Sequence, residues 1–118
     1  MANHKLLKMK WIDNLDGNVI VCNAQGTIIY MNDRAIRQYA AEGGSALIGR
    51  NLMDCHGEAS RKKIETIMTT HQKNVYTIEK KGIKKIVYQT PWMEGTVFKG
   101  IVELSLEIPK EMPHYIRS

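Results

Sequence analysis

Few residues in this chain have the chemistry to act as catalysts or ligands, and they are scattered. Cys55-His56 is the one place where a thiol adjoins an imidazole. Side chains of adjacent residues point in different directions, so the pair does not by itself form a nucleophile–base dyad. His56 could ligate a haem or metal, or titrate near neutral pH and act as a switch. The plainer reading is a histidine that hydrogen-bonds the turn ahead of a following helix. His4, Cys22, Cys55, His56, His71 and His114 show no zinc-ligand spacing, so no metal site is expected. Asp54 and Glu58 are four apart but flank a loop. No phosphate-cradling glycine loop and no Ser-His-Asp arrangement stands out. The expectation is a protein that is not an enzyme.

The elements that must position these residues read from periodicity. Leu7, Trp11 and Leu15 recur at i, i+4 and i+8 with Ile12 beside them and lysines 5, 8 and 10 between, which predicts an amphipathic helix over 5–15. Residues 18–23 are short and β-branched, Ala24–Thr27 is a turn with Gly26 at a positive φ, and Ile28–Met31 returns. That is a β-hairpin. Asn32 and Asp33 are N-cap residue types for a short helix to Ala40 with Ile36, Tyr39 and Ala40 on its apolar face. Ile64, Ile67, Met68 and His71 fall on one stripe of a longer helix, 59–71. Three strands follow: 75–79, 83–90 with Pro91 as its end, and 98–108. In the last, Val102, Leu104, Leu106 and Ile108 alternate with Glu103, Ser105 and Glu107, so one face meets a core and the other, carrying the polar set, meets water or a partner. The last three strands follow one another too closely for crossover helices. The sheet is therefore expected to be antiparallel, in an α+β fold with helices on one face.

Composition sets the outer limits. With 118 residues, 43% hydrophobic and 25% charged, the chain suits one core and one domain. Seventeen basic and twelve acidic residues leave a net charge of +5. The lysines and arginines come in clusters separated by acids, which reads as solvated surface rather than a nucleic-acid footprint. No apolar run approaches the roughly 18–20 residues of a membrane span, and the basic start lacks the apolar stretch of a secretory signal. Two distant cysteines point to a reducing, cytoplasmic setting.

Three segments resemble the PAS domain. They are the hairpin Asn18-Val-Ile-Val-Cys-Asn-Ala-Gln-Gly-Thr-Ile-Ile-Tyr-Met-Asn32, the segment Leu47-Ile-Gly-Arg-Asn-Leu52, and the final strand Phe98–Ile108. The resemblance runs from about Leu15 to Pro109, and their order and spacing are more specific than any one of them. Gly49-Arg-Asn-Leu-Met-Asp-Cys-His56 is similar to a PAS subgroup with Cys-His-Pro at this point, although Gly57 stands where the proline would be. The resemblance implies a five-stranded antiparallel sheet with a ligand cavity between sheet and helices, and a sensory role. It divides the chain into an N-terminal amphipathic helix over 1–16 for a homodimer contact, a PAS domain over 17–109 and a tail over 110–118. Output or partner proteins are implied, the chain being a stand-alone module or a piece of something longer.

The resemblance also frames the cofactor. PAS haem sensors carry their ligand histidine on the long helix, whereas here His56 precedes that helix and His71 ends it. Light-sensing PAS domains place cysteine directly after Gly-Arg-Asn, whereas Leu52 follows Gly49-Arg50-Asn51, which argues against a cysteinyl–flavin adduct and leaves noncovalent flavin open. The cofactor is unassigned between these. Candidate lining residues are Tyr39, Leu52, Met53, His56, Ile64, Ile67, Met68, Tyr76 and Tyr88, in a wider apolar set that includes Ile20, Cys22, Met31, Leu104 and Leu106. Their plainer role is to pack as core. Three functions remain in view. One is a sensor module binding a small apolar or cofactor-like ligand. Another is a constitutive interaction domain with a filled core. The third is a haem-based redox or gas sensor.

Overall fold

The computed structural model describes residues 10–55 and 57–118. Its centre is one five-stranded antiparallel sheet. The strands are β1 (Asn18–Asn23), β2 (Ile28–Met31), β3 (Asn74–Lys80), β4 (Ile83–Glu94) and β5 (Val97–Ile108), in the spatial order β2-β1-β5-β4-β3. Strands that are first and last in sequence thus lie side by side at the middle of the sheet. Helices α1 (Asp33–Gln38) and α2 (Glu58–Thr70), with short 3-10 turns at Ala40–Glu42, Gly44–Leu47 and Leu52–Cys55, fill the connection from β2 to β3. The α+β class and the antiparallel pairing agree with the sequence reading. Residues 10–13 are helical and the helix ends there, Asn14 being a turn residue short of the predicted end at Leu15; residues 1–9 of the predicted N-terminal segment lie outside the described residues.

Local chemistry explains the hairpin and its exit. Gly26 takes φ 86° in the turn, a conformation glycine adopts without steric cost. The Asn23 side chain accepts from the backbone N–H groups of Gln25 and Thr27, each at 3.0 Å. Gly49–Leu52 then runs back along the hairpin. Ile28 N–H donates to Arg50 O at 2.9 Å, Gly49 N–H to Ile28 O at 2.8 Å and Leu52 N–H to Gly26 O at 2.8 Å. Asn51 closes the strip, donating to Gln25 O at 2.9 Å and accepting from Met53 N–H at 2.9 Å. The Gly-Arg-Asn segment is therefore a backbone clasp on the hairpin turn.

Two apolar clusters sit beneath the helices. Cys22, Ile64, Ile67 and Ile101 form one, with Leu52, Met53, Met68 and Phe98 packed against it. Ile28, Met31, Ala35 and Leu47 form the other. Close approach of β1 and β5 at one end requires glycine, because a Cβ on Gly100 would lie 1.9 Å from the Cys22 carbonyl oxygen.

The structure corrects three expectations. β4 continues through Pro91 to Glu94. Its pairing with β3 ends at Gln89↔Asn74, so Pro91 has a neighbouring strand on one side only, and its missing N–H removes no bond on the other. Second, α1 buries Ala35, while Ile36 and Tyr39 are half-buried and Ala40 is exposed. Third, the faces of β5 are the reverse of those expected. Ile101 packs under the helices, so Glu103 and Ser105, two and four residues on, share that face. Val102, Leu104 and Leu106 take the opposite one.

Asn32 joins the N-terminal segment, the sheet and α1. Its side-chain oxygen accepts from Val19 N–H at 3.0 Å and Ala35 N–H at 3.1 Å. Its amide nitrogen donates to Gly17 O at 2.8 Å and Ile12 O at 3.2 Å. The residue is 0% exposed and its hydrogen-bonding capacity is filled. Asn32→Ala leaves those four backbone groups without their partner and should lower stability by about 2–4 kcal/mol, read from the urea unfolding midpoint. A loss below about 0.5 kcal/mol, the scale of an ordinary surface change, contradicts this role.

Candidate ligand cavity

Pairing register aligns one row of side chains across the whole helix-covered face. Met31 of β2 lies opposite Ile20 of β1, Ile20 opposite Glu103 of β5, Glu103 opposite Gln89 of β4, and Gln89 opposite Asn74 of β3. The row is apolar at the β2 end and polar from β5 outward. Asn74 Nδ2 donates to Gln89 Oε1 at 2.8 Å, and Gln89 Nε2 donates to Glu103 Oε1 at 2.7 Å. Gln89 is 9% exposed, so this chain of bonds replaces water that burial has removed.

A cavity of about 360 Å³ lies over the row, between the sheet and the helices. Its walls are Ile20, Cys22, Ile28, Met31, Leu47, Leu52, Ile64, Ile67 and Ile101, with Tyr39, Gln89 and Glu103 at the polar end and exposed Glu42 and Arg50 also lining it. Its size is at the small end of ligand pockets, which span roughly 300–1,000 Å³. A second, more polar groove of about 270 Å³ adjoins it and shares Tyr39, Ile64, Gln89 and Glu103, adding Lys63, Asn74, Tyr76 and Ser105 among others. The Gln89–Glu103 pair thus borders both spaces.

Burial and this carboxylate shape the nearby acids. Desolvation, then Glu103, pushes Tyr39 up to about 12, and the same two causes raise Tyr76. The Cys22 thiol is raised chiefly by burial, which disfavours the nucleophilic thiolate. Tyr30, hydrogen-bonded to Asp13, is also raised, by desolvation first.

Of the predicted lining residues, Tyr39, Leu52, Ile64 and Ile67 line the cavity, and Tyr76 lines the second groove. Met53 and Met68 pack against the first cluster without lining either space. Tyr88 lies opposite Leu104 on the other face of the sheet, with Lys73 Nζ 5.7 Å from its ring centroid. Leu104 and Leu106 leave the lining for the same reason. His56 lies outside the described residues. His71 adopts a left-handed conformation at the end of α2 and stacks on Phe98 at 4.7 Å. The described lining therefore offers no imidazole to a haem iron, and its one thiol, Cys22, is held towards the neutral form. Those residues do not fit a haem ligand set. Sequence reasoning missed Gln89 and Glu103. Their signal was the alternation of β5, assigned to the wrong face.

No family model matches the sequence, and no curated protein matches it. The solved structures do. A sensory box sensor histidine kinase from Vibrio cholerae superposes with TM-score 0.64 at 14% identity, over 92% of this chain and 95% of the other. The PAS domain of the histidine kinase ThkA gives 0.62 at 16%, over 76% and 98%. The PAS domain of an HTR-like protein from Haloarcula marismortui gives 0.62 at 17%, over 92% and 100%. The chain has the PAS fold. Among the described residues no helix is long and apolar enough to cross a membrane.

Tyr39 supplies a pH test. The unfolded chain releases the tyrosine proton near pH 10, whereas the folded state holds it to about 12. The folded state therefore binds more protons between these values, and stability falls as pH rises through that window, being fully present below it. Tyr39→Phe should flatten the fall, measured as urea midpoints across the window. An unchanged slope means that the hydroxyl is not held in this environment.

Proposed function

We propose that this chain is a non-enzymatic PAS sensor module that takes a small, mainly apolar guest between its sheet and helices. The observation that supports this reading best is the cavity itself. A constitutive interaction domain packs its interior shut, because protein cores tolerate few voids larger than a water molecule. Here about 360 Å³ remains beside the hydrogen-bonded Gln89–Glu103 pair. Such a cavity provides the differential contact by which a guest shifts a balance between two arrangements. The fold's occurrence in sensor histidine kinases agrees with a part in signal transduction, with an output partner reading the domain's state. The buried free thiol of Cys22 suits a reducing, cytoplasmic setting.

Self-association belongs to the same reading. Trp11 on the N-terminal helical segment is 59% exposed. The sheet face away from the cavity carries the part-exposed Val102, Leu104, Leu106 and Tyr88. We infer that a second copy covers this apolar surface and that the N-terminal segment contributes to the contact.

Two measurements test these readings. Ile20→Trp directs a larger side chain into the cavity at a cost of about 1–3 kcal/mol. The folded variant should lose the thermal stabilisation that a small apolar guest such as 2-phenylethanol gives the wild type, and a guest response that survives the filling places binding elsewhere. For assembly, Trp11→Glu should convert a dimer to a monomer in light scattering. A wild-type protein that is monomeric at the same concentration, or a variant that remains dimeric, removes this contact.

A further inference from the structure

We propose that the guest of this cavity is a small apolar molecule carrying a protonated amine, whose N–H group donates to Glu103. This rests on the cavity accepting a guest and adds the chemistry of the guest's head. The orientation of the polar row leads to it. Asn74 occupies Gln89 Oε1 as a donor, which leaves Gln89 to face Glu103 with its amide N–H. Among the described residues Glu103 receives that single bond. An ionised carboxylate can accept about four, so acceptor capacity remains on a half-buried group that lines the cavity.

Among the described residues no protein cation pairs with Glu103. Among the described residues the ion pairs are Arg34 with Asp16 and Glu107, and Lys99 with Glu94. Lys63, in the adjoining groove, lies over the Tyr76 ring at 5.5 Å. Arg50, the one cation among the described lining residues, is exposed and makes no pair with Glu103. Glu42 is also acidic, so the described lining carries two carboxylates against one guanidinium. An anionic head placed at the row would meet Glu103 in a site of reduced dielectric, where like charges repel most strongly. A neutral acceptor would leave the carboxylate's remaining capacity unused. An ammonium offers three donors and the opposite charge, while its apolar body lies against Ile20, Ile28, Leu47 and Ile67. Tyr39, with its hydroxyl held protonated, borders the same end and adds a neutral donor or acceptor.

The test compares three probes of one shape, 2-phenylethylamine, 2-phenylethanol and phenylacetate, titrated into the full chain at neutral pH and followed by amide chemical shifts of the cavity-lining residues. The amine should bind about tenfold more tightly than the alcohol, the difference a charge-assisted hydrogen bond supplies, and phenylacetate more weakly than either. Glu103→Gln should erase the amine's advantage over the alcohol. If the alcohol binds and the amine is no tighter, the donor-head assignment fails and the cavity reading stands. If amine preference persists in Glu103→Gln, another group recognises the head and the assignment to Glu103 fails. If none of the probes moves the lining resonances, both readings fail. The wild-type comparison alone decides the amine preference, so a Glu103→Gln protein that does not fold leaves that part of the test intact.

Discussion

Gln89 and Glu103 stand opposite each other on neighbouring strands beneath the helices, and the interior is organised around that hydrogen bond. Buried amides and carboxylates lose water and must find replacements. Here the replacement comes from within the sheet, because register places Asn74, Gln89 and Glu103 in one line across three strands. Apolar side chains from α2 and the 3-10 turns cannot close directly over such a pair without stranding its unused acceptor capacity. The apolar clusters instead gather to either side, around Ile67 and around Ala35, and space remains between them.

The frame that holds this arrangement is built from asparagines and glycines as much as from the core. Asn23 fixes the hairpin turn, Asn51 ties the following segment to it, and Asn32 connects the N-terminal segment, β1 and α1. Each spans groups that secondary structure leaves without partners. Gly100 lets β1 and β5 approach at the centre of the sheet, where sequence-distant strands must meet. These constraints are local in chemistry and long-range in effect. They fix which residues of β1 oppose which of β5, and hence that Ile20 lies beside Glu103.

Much of this was legible in the sequence. The hairpin showed in a β-branched run around a glycine turn, and α2 in the spacing of Ile64, Ile67 and Met68. Antiparallel pairing followed from the short connections late in the chain. The orientation of β5 was not legible. Alternation of Val102, Leu104 and Leu106 with Glu103 and Ser105 says that the faces differ, and polarity suggests that the charged face meets water. Which face lies beneath the helices is decided by pairing, here Cys22 opposite Ile101, and a one-residue change of register inverts it. That inversion removed Tyr88, Leu104 and Leu106 from the lining and brought in Glu103 and Gln89. Pro91 misled for a related reason, since its tolerance depends on where β3 ends.

The PAS fold accounts for the architecture, while the site's chemistry comes from side chains that this sequence places on it. The central claim is that the space over the Gln89–Glu103 pair belongs to the native state and is not closed by its own side chains. A high-resolution crystal structure of the protein as purified tests it most directly. The account predicts that Glu103 faces inward, bonded to Gln89, with non-protein density or an open void between it and Ile67. An interior closed by Leu52 and Ile64, with the Glu103 carboxylate turned out to solvent, would contradict it.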